Sequence, residues 1–236
     1  MIYFNLMMNF ESGYQYFDSL ERAKHPVVSR YCRRELWVAK AQMLMALDRH
    51  AEAVDYLNRA MALKDENNDP LSEIFCTATA GITYMGVDTI STRAESAFRR
   101  ACRVAERSGL SNYWLYPQAI GRLADIYLQQ GKYEESISLC REAIRLCEKS
   151  GSYHGKLVVA EILTEAYRLL GLYDEAFRYC AVGTGEPARA EVDNNLIGRF
   201  FIAKAEIHNN LNRPDSALLV LAQADSCFDR TKNDYY

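Results

Sequence analysis

One pattern occurs twice in the middle of this sequence, at a fixed spacing of 40 residues. The first copy is LADIYLQQGKYEESISLCREA at 123–143, and the second is LTEAYRLLGLYDEAFRYCAVG at 163–183. In each copy apolar residues recur at three- and four-residue spacing, stop at Gly131 or Gly171, and then resume. This predicts a helix, a tight turn and a second helix. Such an internal period is typical of a helical repeat protein, in which each unit packs on its neighbours.

The same period extends over the rest of the chain. A small residue lies early in the second helix of each predicted repeat, where it lets paired helices approach closely. Successive small residues are spaced by 41, 42, 40 and 41 positions, and they are Ala53, Ala94, Ser136, Ala176 and Ala217. The sequence therefore predicts a single array over 1–236. It consists of a partial repeat at 1–26 and five repeats at 27–69, 70–110, 111–152, 153–187 and 188–236.

These residues resemble the tetratricopeptide repeat family, whose pattern is W-x2-L-G-x2-Y followed by A-x3-F-x2-A. Leu123 with Tyr127, and Leu163 with Tyr167, stand at the L and Y positions of that pattern. The closing proline of the pattern is missing, and the period exceeds the usual value of about 34 residues. Longer helices or linkers are therefore expected. The resemblance implies an all-α fold, a right-handed α-solenoid of antiparallel helix pairs.

Charge and hydropathy restrict the partners and the location that we expect. The chain of 236 residues carries a net charge of −3, so no overall basic field draws it to nucleic acid or to an anionic membrane. The arginines at 99–107 are read as a solvated helix face. No apolar run approaches the roughly 20 residues that span a bilayer. The start MIYFNLMMNF lacks the positive residues of a secretory signal. We expect a cytoplasmic protein.

The seven cysteines form an odd set without a C-x-x-C pair. Neither a disulfide framework nor a zinc site is indicated. We expect them to be reduced, buried thiols that act as small hydrophobes, with a redox role as the alternative. No motif for another metal or for a cofactor occurs either, and we expect none.

The family resemblance also implies where a partner binds. In this family the first helices of successive repeats line a concave groove, and their register can be carried over to this chain. Repeats one and two then contribute the apolar candidates Val38, Met45, Phe75, Ile82 and Met85. Repeats three to five contribute polar and charged candidates: Gln118, Arg122, Asp125, Gln129, Glu161, Glu165, Arg168, Arg199, Glu206 and Asn209. An elongated amphipathic protein or peptide would match such a groove.

Three functions are consistent with this sequence. The first is a non-catalytic scaffold that binds a protein or peptide in the groove. The second is the sensory or regulatory region of a bacterial signalling or transcription regulator that binds a peptide or effector. The third is an enzyme centred on Glu161 and Glu165, which lie one helical turn apart. No histidine lies within four residues of that pair and no phosphate loop occurs, so we expect no catalysis.

The ends of the array raise a separate expectation. The terminal repeat of a solenoid has one face without a neighbour. In the fifth repeat that face is expected to expose some of Phe200, Phe201, Leu218, Leu219 and Phe228. We expect self-association through the end repeats or a further helix after Tyr236. We also expect the N-terminal segment MIYFNLMM to fold back over the apolar part of the groove.

Overall fold

The computed structural model describes residues 9–23, 32–63, 69–87, 92–185 and 194–233. Every regular element in this part of the chain is an α-helix, as the sequence predicts. The helices are α1 (Phe10–Arg22), α2 (Arg33–Ala46), α3 (His50–Ala62), α4 (Pro70–Val87), α5 (Thr92–Arg107), α6 (Leu115–Gln129), α7 (Tyr133–Ser150), α8 (Tyr153–Leu169), α9 (Tyr173–Thr184), α10 (Asn194–Asn210) and α11 (Pro214–Asn233). Each described helix is too short or too polar to cross a bilayer.

The chain divides into two compact units, residues 1–122 and 123–236. In the first unit α1 packs on α2, α2 packs on α3 and α4, and α4 packs on α3 and α5. In the second unit α8 packs on α7, α9 and α10, and α10 packs on α9 and α11. Within each unit a helix thus contacts its own partner and the first helix of the next pair. The single array over 1–236 stays a prediction, and the segment MIYFNLMM lies outside the described residues.

Three-residue turns join the two helices of four pairs, and each turn has a left-handed residue at its centre. These residues are Asp48 (φ 60°), Gly131 (φ 75°), Gly171 (φ 72°) and Asn212 (φ 55°). The next residue donates its N–H to a carbonyl five positions back, as Leu172 does to Tyr167 at 2.9 Å. The tight turns predicted at the two glycines are confirmed. Such short connections make the paired helices antiparallel neighbours.

The small residues predicted at the helix contacts are buried. Four of them are fully inaccessible and Ala217 is 8% exposed. Ser136, which replaces alanine in α7, donates its hydroxyl to the Ala124 carbonyl of α6 at 2.7 Å. The polar side chain is therefore satisfied inside the contact, because the hydroxyl finds an acceptor on the neighbouring helix.

A buried lysine of α2 forms ion pairs with two carboxylates of α1. The Lys40 side chain is fully inaccessible, and its Nζ lies 2.9 Å from Asp18 Oδ1 and 2.7 Å from Glu21 Oε2. Trp37 Nε1 also donates to Glu21, at 2.8 Å. Burial alone would lower the pKa of Lys40, but its hydrogen bonds to Glu21, Tyr56 and Asp18 outweigh burial and raise it. The ammonium is therefore charged at neutral pH.

Six of the seven cysteines are buried, as expected, but Cys32 is exposed. The expectation of a buried thiol was therefore wrong at this position, because Cys32 precedes α2 instead of facing a helix contact. Burial raises the pKa of the Cys76 thiol to about 12. It raises the pKa of the Cys180 thiol to about 11.

Candidate partner-binding site

An open pocket of about 270 Å³ lies between α8 and α10 in the second unit. Its lining consists of side chains on successive turns of these two helices. They are Glu161, Glu165 and Arg168 from α8, and Arg199, Ile202, Ala203 and Glu206 from α10. The pocket therefore has charged walls and a small apolar patch.

Half of the ten polar candidates line this pocket. The five that do not are Gln118, Arg122, Asp125, Gln129 and Asn209. Two lining residues, Ile202 and Ala203, were missed from the sequence. Ile202 lies three residues after Arg199 and four before Glu206, which places all three on one helix face. That spacing could have identified Ile202.

Arg168 on the α8 side is fixed by two glutamates. Its Nη2 lies 2.5 Å from Glu165 Oε1, and its Nε lies 3.2 Å from Glu206 Oε2. A second bond joins Nε to Glu165 Oε2 at 2.7 Å. The hydrogen bonds to Glu165 raise the pKa of Arg168. With its side chain only 18% exposed, Arg168 links α8 to α10 and has little surface left for a partner.

The α10 side presents three accessible groups in a row. Arg199 is 59% exposed and pairs with Glu161 at 2.5 Å, while the Glu161 side chain is only 16% exposed. Ile202 is 36% exposed, and the Glu206 side chain is 49% exposed. A cation, an apolar side chain and an anion thus follow one another along α10. This order can complement a segment with an acidic, an apolar and a basic group.

The apolar candidates of the first unit differ in accessibility. Val38 is fully buried, so its assignment to the groove was wrong. It packs inside the contacts that α2 makes with three helices and cannot meet a partner. Ile82 is 47% exposed, whereas Met45, Phe75 and Met85 are half-buried. Leu71, at 41% exposure, was not predicted, although its spacing places it on the same face of α4 as Phe75 and Ile82.

The pair considered for acid–base chemistry is engaged in ion pairs. Glu161 contacts Arg199, and Glu165 contacts Arg168 twice. Within the described ranges, no three His, Cys, Asp or Glu side chains are grouped to hold a metal ion. The arrangement suits the recognition of charged groups through hydrogen bonds.

Comparisons with known proteins agree with this architecture. Models of the tetratricopeptide repeat match residues 35–67 and 116–179. No curated protein matches the sequence significantly.

Solved structures share the fold at low sequence identity. BtubC (BKLC) from P. vanneervenii has a TM-score of 0.75 at 16% identity, over 97% of this chain and 93% of that one. NprR in complex with its cognate peptide NprX has a TM-score of 0.70 at 15% identity, over 97% and 65%. The TPR-like repeats of a Podosopora anserina putative kinesin light chain give 0.66 at 16% identity, over 85% and 97%. Residues 35–67 and 116–179 are thus tetratricopeptide repeats, and the chain shares the fold of proteins built from such repeats.

Proposed function

We propose that this chain is a non-catalytic binding protein that holds a peptide or protein segment against α8 and α10. The main observation behind this proposal is that the side chains of Arg199, Ile202 and Glu206 are accessible along α10, beside a pocket. Two further findings support it: the repeats belong to a family of binding scaffolds, and the fold resembles that of NprR, which was solved with a bound peptide.

The size of the pocket favours a segment of polypeptide over a whole metabolite. Sites that enclose a small molecule are typically about 300–1,000 Å³ and bury most of the ligand. The pocket here is open and measures about 270 Å³, which suits one or two side chains of a longer ligand. The rest of such a ligand would lie along the exposed face of α10.

The ion pairs around Arg168 give the site a fixed frame. Because Arg168 joins Glu165 and Glu206, the two helices are linked before a ligand arrives. A preformed site loses less conformational entropy on binding than a mobile one. The exposed Arg199 is the group on which we expect a partner carboxylate to bind, in competition with Glu161.

A library of displayed peptides, selected separately on three forms of the chain, tests this proposal. The wild type should enrich peptides with an acidic, an apolar and a basic residue in that order. The double variant Arg199→Glu/Glu206→Arg should lose this enrichment, because it removes the exposed cation and the contact of Glu206 with Arg168. Arg178→Glu is the matched control, because Arg178 is 73% exposed on α9 and does not line the pocket. It should select the same peptides as the wild type.

Two results would overturn the assignment of this site. One is enrichment of identical peptides by all three forms. The other is the absence of any enriched pattern on the wild type.

A second candidate is the peptide- or effector-sensing region of a bacterial regulator. The similarity to the peptide complex of NprR favours it over other specialised roles. The test is the gene sequence beyond Tyr236 together with the native protein. An output domain in the native protein supports this function, and a native protein that ends at Tyr236 argues against it.

A further inference from the structure

The three glutamates of the pocket between α8 and α10 differ in the hydrogen bonds that they already accept. Glu165 accepts two from Arg168, from Nε at 2.7 Å and from Nη2 at 2.5 Å. Glu161 Oε1 lies 2.5 Å from Arg199 Nη2. Glu206 Oε2 lies 3.2 Å from Arg168 Nε, but that nitrogen carries one hydrogen and donates it to Glu165. No described residue donates a hydrogen bond to the Glu206 carboxylate.

Glu206 is therefore an anion that is held in place and still open to a ligand. The positive charge of Arg168 lies beside it, its side chain is 49% exposed, and it lines the pocket. The lining as a whole has three glutamates and two arginines, so it carries one net negative charge. Carboxylates form their strongest hydrogen bonds with charged donors. Both the free acceptor and the net charge favour a cation in this pocket.

An apolar wall lies next to this carboxylate. Ile202 is 36% exposed and precedes Glu206 by four residues, so both lie on the same face of α10. Ala203 completes the wall. Lysine and arginine carry a stem of methylene groups below a cationic head. With its stem on Ile202 and its head at Glu206, one such side chain fits an open pocket of about 270 Å³.

We propose that a lysine or arginine of the bound segment is its anchor, and that this side chain enters the pocket and donates to the Glu206 carboxylate. This anchor rests on the peptide-binding function proposed above. It identifies which residue of the segment contributes most to affinity.

The acidic residue of the segment contributes less. Arg199 is 59% exposed and already paired with Glu161, so Glu161 and water both compete with a carboxylate of the partner. Ion pairs of this exposed kind add little affinity. A cation at Glu206 displaces no protein donor, because the described part of the chain supplies none.

The probes are the N-acetyl methylamides of lysine, arginine and norleucine, each titrated into the full chain. The readout is the NMR signals of the Ile202 and Ala203 methyl groups, which line the pocket. The lysine and arginine probes should shift these signals saturably at millimolar concentration. Norleucine has the apolar stem without the charge, and it should bind about tenfold more weakly. The tighter of the two basic probes identifies the preferred side chain.

Three variants test the role of Glu206. Glu206→Gln keeps the size of the side chain and should weaken both basic probes about tenfold. Arg168 stays bonded to Glu165 in this variant, so the frame of the pocket is kept. Glu175→Gln is the matched control, because Glu175 is 44% exposed on α9 and does not line the pocket; it should leave binding unchanged. Arg199→Gln should bind the basic probes at least as tightly as the wild type, because it removes a like charge.

The anchor is wrong if norleucine binds as tightly as the basic probes, or if Glu206→Gln keeps the wild-type affinity for them. The peptide library separates this outcome from failure of the proposed function. An enriched peptide that keeps its affinity when norleucine replaces its basic residue would overturn the anchor and leave the peptide-binding function standing. Basic probes that bind as expected, together with a library that yields no enriched peptide, would overturn that function and leave the preference of the pocket for cations standing.

Discussion

Replacing Lys40 by methionine should release α1 from the rest of the first unit. Within α1 the only buried residue is Gly13, so few apolar contacts hold this helix in place. The Lys40 ammonium, hydrogen-bonded to Asp18 and Glu21, is the main polar link between α1 and α2. Methionine fills a similar volume but leaves the two carboxylates without their buried partner.

The cost follows from what remains around the carboxylates. Removing one member of a fully buried ion pair typically costs 3–5 kcal/mol. Here the Asp18 and Glu21 side chains are 21% and 30% exposed, so water can replace part of the lost interaction. Arg22 also contacts Asp18 at 2.7 Å, and Arg59 lies 3.6 Å from Glu21. We therefore expect Lys40→Met to cost about 2–4 kcal/mol.

Native-state hydrogen exchange measures this loss locally. At 1.4 kcal/mol per factor of ten, amides of α1 should exchange about 30-fold to 700-fold faster in Lys40→Met. Amides of α8 to α11 should be unaffected. Lys149→Met, which removes an exposed lysine, is the control and should leave α1 protection unchanged. If α1 exchanged at the wild-type rate in Lys40→Met, the ion pairs of Lys40 would not be what holds α1 in place.

Three further predictions concern the second unit. Burial lowers the pKa of His208 in the folded protein below its ordinary value of 6.5. The neutral ring therefore stabilises the fold fully above pH 6.5, and this stabilisation is lost as the pH falls through the lower pKa of the folded state. His208→Tyr should therefore make the thermal midpoint less sensitive to acid between pH 6.5 and the folded pKa; equal sensitivity would contradict this. Gly183→Ala should destabilise by about 1–3 kcal/mol in urea unfolding, because the added methyl overlaps the Phe200 ring; an unchanged midpoint would show that the ring moves freely. Ser136→Ala should change stability by no more than about 1 kcal/mol in the same assay, since one hydrogen bond to the Ala124 carbonyl is lost at a position suited to alanine; a larger loss would mean that the hydroxyl has a further role.

The features that the sequence predicted depend on local geometry. Gly131 and Gly171 each follow a helix, at a point where a left-handed residue leads the chain into a tight turn. The spacing of these glycines in the sequence was therefore sufficient to predict the turns. The charged pocket residues were predicted by carrying over the register of the tetratricopeptide repeat, in which residues three and four apart share a helix face. Arg168 and Arg199 line one pocket, on helices that pack together.

The features that were missed depend on packing between distant residues. Lysine is normally exposed, and the carboxylates that bury Lys40 lie 19 and 22 residues away in sequence. Val38 and Met45 were both assigned to the groove from the register of the repeat family. Val38 is nevertheless fully buried, because α2 contacts three helices. Helical period identifies a face, but it does not determine whether another helix covers that face.

The distribution of thiols makes the natural sequence ready for selective labelling. Maleimide dyes react with the thiolate, so the buried Cys76 and Cys180, whose pKa values are raised, react slowly near neutral pH. Cys32 is exposed just before α2, and no cysteine needs to be removed before a dye is attached there. A fluorophore at Cys32, paired with a labelled peptide, gives an energy-transfer signal that reports where along the chain the peptide binds.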